Sequence, residues 1–183
     1  MNWTLDDAHS SVTFSVRHMM VTTVRGDMKI RDLELTFDPD QPERSHVRVI
    51  LDAASIDTGN AGRDQHLRSD DFLQVASHPT IDFVSTRIDI RGDRRGAIHG
   101  DLTIRGVTRP VVLDTSFAGR VPDMQGGERA AFSATATIDR EDYGLTWNVA
   151  LEQGGVLVSR EVRIEMEIAV VSAAAEGEAE AAA

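Results

Sequence analysis

The chain of 183 residues contains no cysteine. Disulfide bonds, a catalytic thiolate and thiolate metal ligands are therefore excluded. Aromatic residues make up only 5% of the chain, and there are 5 prolines. The hydrophobic share of 41% is nevertheless ordinary. At this length the chain is long enough to form one domain with a sizeable core.

Long apolar runs and excess positive charge are also lacking. No stretch approaches the roughly 20 apolar residues of a membrane-spanning helix. The first residues, MNWTLDDAHSS, show neither the basic segment nor the apolar segment of a secretion signal. These absences predict a cytoplasmic protein without stable membrane insertion. The formal net charge of −11 argues against a nucleic-acid partner, because such binding needs a basic face.

What the chain has in abundance is alternation of apolar and polar residues. In SVTFSVRH, residues 11–18, Val12, Phe14 and Val16 share one face while serine and threonine occupy the other. About eight segments alternate in this way, with turns rich in glycine, proline and aspartate between them. The pattern predicts an all-β protein of antiparallel strands, either a closed barrel or a sandwich.

In two segments the apolar phase slips by one residue. The phase of segment 24–38 changes near Arg31–Asp32, and that of segment 80–91 changes between Phe83 and Ile88. A one-residue slip moves the apolar side chains to the other face of a sheet. We therefore predict a bulge or bend in each segment.

Residues 63–72, RDQHLRSDDF, interrupt the strand pattern with a dense charged stretch. Arg63, Asp64 and His66 are either an acid–base cluster or the polar side of a short helix whose start is capped by Thr58 or Asn60. Side chains two positions apart on a helix point in different directions. The aspartate and the histidine therefore cannot act as a local catalytic pair, which favours the structural interpretation.

Six histidines raise the question of a metal site. No HxH or HxxxH spacing occurs, and a zinc site needs three or four converging ligands. The sequence therefore predicts neither a metal site nor a required cofactor.

The predicted inward faces combine large and small apolar residues. Gly100, Ala134 and Ala136 fall in the same phase as leucine, isoleucine and phenylalanine. Small inward residues leave space for an apolar ligand if the barrel is open inside. They are equally compatible with a packed barrel in which small residues face large ones. The alternation alone leaves both interpretations open.

Five stretches in order resemble the YceI family of lipocalin-like barrels. They are WTLDDAHSSVTF from Trp3, TGNAGRDQHLRSDDF from Thr58, HPTIDF from His78, GDLTIRGVTRPV from Gly100 and IDREDYGL from Ile138. The resemblance implies an extended eight-stranded antiparallel barrel with a short helical segment near its opening. It implies one barrel domain over residues 1–171. The remaining Ala/Glu stretch, residues 172–183, lacks aromatic and branched side chains, which predicts a disordered tail.

The resemblance also implies a function, which is binding or carrying a long apolar amphiphile inside the barrel. Such a ligand would be a polyisoprenoid, for example an isoprenoid quinone or a prenyl phosphate. On this basis the predicted cavity residues are Val12, Phe14, Val16, Phe37, Phe83, Leu102, Ile104, Phe117, Phe132, Ala134, Ala136, Ile138 and Trp147. The predicted mouth and head-group residues are Arg63, His66, Leu67, Phe72 and Arg140.

Two other functions remain as alternatives. One is an enzyme that acts on a prenyl phosphate or pyrophosphate through Arg63, Asp64 and His66. The other is a stress-related protein-interaction module, which predicts a large exposed apolar patch and a filled interior. A homodimer through an edge strand or a shared sheet is also left open.

Overall fold

The computed structural model describes residues 3–38, 40–124 and 126–172. Within these residues the chain forms ten strands, which pair in antiparallel fashion, and one α-helix. The strands are β1 Trp3–Leu5, β2 Ser11–His18, β3 Thr22–Met28, β4 Ile30–Thr36, β5 His46–Asp52, β6 Thr80–Ile90, β7 Arg95–Ile104, β8 Val107–Pro122, β9 Glu128–Asp139 and β10 Val158–Ser172. The helix, α1, spans Ala61–Arg68.

The strands form one curled sheet in the order β3-β2-β10-β9-β8-β7-β6-β5-β4. Its two end strands, β3 and β4, are successive parts of one stretch that bends at Lys29. The Lys29 N–H donates to Ser55 Oγ at 2.8 Å, and its carbonyl accepts from the Asp52 N–H at 3.0 Å. Because one bent stretch pairs with β2 and with β5, the sheet curls round on itself into a barrel.

The prediction of an antiparallel barrel is confirmed, with a small difference in strand number. β1 and β2 both pair with β10 and are separated by a short 3₁₀ turn, residues 7–9. Each of two long strands is thus divided in two, which gives ten segments where the alternation predicts about eight. At Lys29 the alternation does not reveal the break, because Met28 and Ile30 stay in one phase across it, and Trp3–Leu5 is too short to show alternation of its own.

Both predicted phase slips are register shifts in the sheet. The β4–β5 ladder shifts between Ile30 and Asp32. The β6–β7 ladder shifts between Ser85 and Arg87. Each irregularity moves the following side chains to the opposite face, as the sequence predicts.

Helix α1 lies at one end of the barrel, where β6 and β10 begin and β7 and β9 end. Its N-cap is Asn60, whose side-chain oxygen accepts from the Arg63 N–H at 3.0 Å. Arg68 ties its last turn to the carbonyl oxygens of Ala54 and Ile56, at 2.8 and 2.7 Å. We call this end the helix end, and the opposite end, at the β6–β7 connection of residues 91–94, the hairpin end.

The buried apolar side chains form two clusters, one toward each end. The helix-end cluster includes Leu73, Leu102 and Ile138, with Tyr143 from the turn after β9. The hairpin-end cluster is centred on Trp3, Phe37, Ala130 and Val170, which join β1, the stretch after β4, β9 and β10. Between the clusters the interior stays open.

The end of the barrel lies one residue beyond the predicted domain boundary. Ser172 is buried at the end of β10, and its hydroxyl accepts from the Glu128 N–H at 2.9 Å. This residue therefore belongs to the sheet rather than to the predicted tail. The rest of that tail, residues 173–183, lies outside the described residues.

Candidate ligand-binding cavity

An elongated cavity of about 770 Å³ occupies the interior of the barrel. Its size falls within the range of roughly 300–1,000 Å³ for small-molecule sites. The inward side chains of β2 to β10 form its wall. All thirteen predicted cavity residues lie on that wall: Val12, Phe14, Val16, Phe37, Phe83, Leu102, Ile104, Phe117, Phe132, Ala134, Ala136, Ile138 and Trp147. Their contact with a ligand stays a prediction.

The small inward residues do not all leave space. Ala134 and Ala136 face the cavity from β9. Gly100 instead lies under the ring of Phe83, and a Cβ at that position would overlap the ring and the Val84 carbonyl. The expectation that Gly100 contributes free volume is therefore wrong, because a neighbouring aromatic ring fills the space.

Aromatic rings narrow the cavity at the hairpin end. The centroids of Phe37, Phe117 and Phe132 lie 5.1 to 5.6 Å from one another, and Trp3 packs on Phe37 at 5.8 Å. Such tilted and edge-to-face contacts make a rigid apolar wall. An apolar chain that enters from the helix end would therefore end against these rings.

At the helix end, α1 and the stretch that follows it meet the loop before β10. His66 packs edge-on against Phe72 and Trp147, with centroids at 5.0 and 4.6 Å. On its polar side, the Nε2 atom of His66 lies 2.8 Å from the Asp71 carboxylate. The cavity is lined here by Leu67 and by the rings of His66, Phe72 and Trp147. The mouth is thus apolar on its inner side and charged on its outer side.

Arg63 also lies at this mouth and is held in place by Thr58. Its Nε donates to Thr58 Oγ1 at 2.7 Å, and its Nη2 donates to the Thr58 carbonyl at 3.0 Å. Among the described residues, Nη1 has no hydrogen-bond partner. The half-buried guanidinium keeps donors available to an anionic group at the cavity mouth.

Asp64 does not line the cavity but anchors the helix. The buried carboxylate accepts from the Thr58 N–H at 2.9 Å and from Thr58 Oγ1 at 2.5 Å. Burial by itself raises the pKa of Asp64, but the bonds from Thr58 and the charges of Arg68 and Arg63 outweigh it and hold the pKa below its usual value. The carboxylate therefore stays ionised at neutral pH.

The structure does not assemble Arg63, Asp64 and His66 into a catalytic set. Arg63 and Asp64 both bind Thr58, whereas His66 pairs with Asp71. A general base needs a proton-bearing group of the substrate within reach, and a buried carboxylate with two donors already in place is poorly suited to that role. The geometry favours binding over catalysis.

Arg140 differs from the other predicted mouth residues in its surroundings. It lines the helix end of the cavity but is only 3% exposed. Its guanidinium donates to the carbonyl oxygens of Leu145, Trp147, Val158 and Ser159. These carbonyls already take four of its five N–H donors, which argues against the predicted head-group role. Arg140 joins the turn after β9 to the start of β10.

Sequence reasoning missed part of the wall at the hairpin end. Ser45, Arg94, Arg95 and Arg120 line the cavity there. The first three lie in or beside turns, where period-two alternation carries no signal. Arg120 lies past the irregularity between Phe117 and Gly119 in the β8–β9 ladder, which changes the face that later residues present.

A curled antiparallel sheet around one elongated apolar cavity, with a helix at one end, defines a lipocalin-like barrel of the ligand-binding type. None of the described helices is long and apolar enough to cross a membrane. The family model of the YceI-like domain matches residues 3–170. The chain therefore belongs to the YceI family, as the sequence motifs predict.

Known proteins agree with this assignment. A UPF0312 protein of Ectopseudomonas mendocina is 42% identical over 138 residues, which covers 75% of this chain and 72% of that protein. The crystal structure of Burkholderia cenocepacia BcnA has the same fold, with a TM-score of 0.78, 22% identity and coverage of 91% and 99% of the two chains. A polyisoprenoid binding domain from Saccharophagus degradans aligns with a TM-score of 0.66, 14% identity and coverage of 94% and 99%.

Proposed function

We propose that this protein binds and carries a polyisoprenoid lipid, with the apolar chain inside the barrel. The observation that supports the proposal most strongly is the cavity of about 770 Å³, whose wall is built from apolar side chains of nearly every strand. A filled interior, as an interaction module predicts, would leave no such space. The shape suits a long, thin apolar ligand more than a compact one.

Two further observations support the ligand class. The likeness to a polyisoprenoid binding domain extends over almost the whole fold. The cavity wall also contains many methyl-bearing side chains, such as those of Val16, Leu102 and Ile164. A branched isoprenoid chain fits such a wall through dispersion contacts and exclusion of water.

We place the polar head of the lipid at the helix end. Arg63 offers free donors there, and His66 lies beside it on the same helix. The aromatic rings at the hairpin end suit the far end of an apolar chain instead. A lipid that enters tail first would leave its head at the helix end.

The cavity proposal is tested by filling the cavity. Ala134→Phe adds a ring on the inward face of β9 and should displace ligand volume with little loss of stability, whereas a filled core would lose roughly 1–3 kcal/mol to overpacking. Affinity for a dansyl-labelled geranylgeranyl chain should fall at least about tenfold, measured by fluorescence titration. Melting temperature is recorded for the same samples.

Thr137→Phe is the matched control, because it places the same ring on the exposed outer face of the same strand. It should leave tracer affinity unchanged. Equal affinity of the Ala134→Phe variant and the parent protein would contradict binding inside the barrel. Strong destabilisation by Ala134→Phe would show that the barrel is packed at that level.

A further inference from the structure

Five of the nine large apolar side chains that are exposed in the described part of the chain lie on two loop tips at the helix end. We call this group the apolar rim; it consists of Met19, Met20, Val21, Val149 and Val156. Their exposed fractions run from 39% for Val156 to 72% for Val21. Single exposed apolar residues are common on protein surfaces, but a cluster of five on adjacent tips needs an explanation.

The two tips are held together by defined contacts. The Met19 N–H donates to the Leu157 carbonyl at 2.8 Å, and the sulfur of Met20 packs directly against Gly155. The second tip is closed by a bond from the Leu157 N–H to the Val149 carbonyl at 2.9 Å. The apolar rim is therefore an ordered surface rather than two independent loops.

The backbone of the first tip is unfavourable for its residues. Met19 and Met20 have φ angles of +50° and +62°, and the Val21 N–H donates to the His18 carbonyl at 3.2 Å. Positive φ at both central residues is the geometry of a type I′ turn, for which Asn-Gly is the preferred pair. Two methionines destabilise this turn, because positive φ brings the Cβ of an L-residue too close to the backbone. Such a costly pair on an exposed tip is a reason to look for a surface that the thioethers contact.

The apolar rim is continuous with the cavity. His18, Leu157 and Val158 line the cavity wall, and their chain neighbours Met19 and Val156 are exposed on the rim. An apolar surface thus extends from the interior of the barrel to the outside at the helix end. A ligand that crosses this edge would not have to pass through water if the rim were in contact with an apolar phase.

Charged groups around the rim fit a bilayer surface. Arg17 lies directly behind the tip, where its Nη2 donates to the carbonyls of Met20 and Val21 at 3.3 and 3.5 Å. An apolar tip with a cation behind it matches the layering of acyl chains and phosphates at a membrane interface. Glu152 lies on the second tip, and the net charge is −11, so attraction to anionic lipid is not expected.

We propose that the apolar rim docks this protein reversibly on a zwitterionic lipid bilayer. Five side chains on two tips form a small surface, whereas a stable protein interface uses about 20–30 residues on each side. Shallow insertion into a bilayer needs only a few apolar anchors. Docking goes beyond the proposed function, because the protein itself meets the membrane whether or not the cavity is occupied.

Sedimentation with phosphatidylcholine vesicles tests this proposal. The parent protein should pellet with vesicles, and the variant with Met19→Ser and Met20→Ser should show about a tenfold lower partition coefficient. Met124→Ser is the matched control, since that methionine is 100% exposed on the β8–β9 connection at the hairpin end. It should partition like the parent.

A second variant separates docking from folding. Met19→Asn with Met20→Gly installs the preferred turn pair and should raise the melting temperature while it lowers vesicle partition to the same extent. Titration with the dansyl-labelled tracer without vesicles should be unchanged in this variant, which keeps the test independent of cavity binding.

Three results would overturn the docking proposal. The first is a parent protein that stays in the supernatant at all vesicle concentrations. The second is equal loss of partition in Met124→Ser. The third is unchanged partition in the Asn-Gly variant.

Discussion

Arg63 and Arg140 are both arginines at the helix end, yet their surroundings give them different roles. Arg140 is enclosed by four backbone carbonyls, and burial lowers its pKa while Glu141 and Asp139 oppose that effect. Arg63 is bound on one side only, by Thr58. Only Arg63 can therefore donate to a ligand without breaking the fold.

The head-group assignment predicts a selective effect of Arg63→Gln. A hydrogen bond between a guanidinium and a phosphate contributes roughly 1.5–3 kcal/mol, so affinity for geranylgeranyl phosphate should fall about tenfold or more. Affinity for the uncharged alcohol of the same chain should stay unchanged, since it depends on the apolar wall. Competition against the dansyl-labelled tracer measures both.

Arg95→Gln is the control for the Arg63→Gln measurements. Arg95 lines the cavity at the hairpin end, and its side chain has no hydrogen-bond or ion-pair partner among residues 3–38, 40–124 and 126–172. It should affect neither competitor. A larger loss of phosphate affinity in Arg95→Gln than in Arg63→Gln would place the head at the hairpin end and contradict the assignment.

At the level of residues, the sequence predicts faces well and partners poorly. Period-two alternation identifies every inward residue of β9, from Ala130 to Ile138, because one buried face of a strand must be apolar. The carbonyl partners of Arg140 come from the loop after β9 and from the start of β10, up to 19 positions away, and no local pattern links such distant residues. The ring of Phe83 over Gly100 likewise depends on the register between two strands.

Among the elements, α1 is held to its surroundings at three points. Asn60 caps its start, Asp64 binds Thr58 beneath it, and Arg68 ties its end to the segment after β5. A helix held at three points cannot swing open as a lid without breaking several bonds. Exchange of ligand is therefore expected beside the helix, near Trp147 and the apolar rim, and not by displacement of the helix.

The role of Asp64 in this anchor has a defined pH dependence. Since the pKa of folded Asp64 lies below its unfolded value near 3.8, its ionised form stabilises the fold above about pH 4. That contribution is lost as pH falls through the lower folded pKa. Asp64→Asn should therefore destabilise the protein by roughly 1–3 kcal/mol at pH 7.

The difference between Asp64→Asn and the parent should shrink as pH falls below 4, measured by urea unfolding at a series of pH values. The parent protein should remain acid-sensitive in part through other groups, because hydrogen bonds from arginines also lower the pKa of Asp6 and of Asp139. A difference that stays constant from pH 7 to pH 3 would show that the Asp64 carboxylate does not anchor the helix as an anion.

The positions of most elements follow from the sequence, but the closure of the barrel does not. Alternation, turn residues and the Asn60 cap indicate the strands and the helix, and both register shifts are visible as phase slips. The bend at Lys29 carries no such signal, because its partners Ser55 and Asp52 belong to another part of the chain. It is this bend that turns an open sheet into a container.

At the scale of the whole molecule, the barrel is an apolar container with an acidic exterior. The formal net charge of −11 means that carboxylates clearly outnumber cationic side chains in the chain. The interior, by contrast, is suited to a ligand that is nearly insoluble in water. The opposite properties of surface and cavity support the proposed carrier function.

The presence of lipid in the protein as isolated from its own host tests this central claim most directly. Native mass spectrometry of the gently purified protein, followed by organic extraction, should reveal a co-purifying species with the mass series of an isoprenoid chain. The species should be lost in the Ala134→Phe variant and retained in Thr137→Phe. A protein that carries no lipid from its own host and does not take up added polyprenyl phosphate would contradict the account.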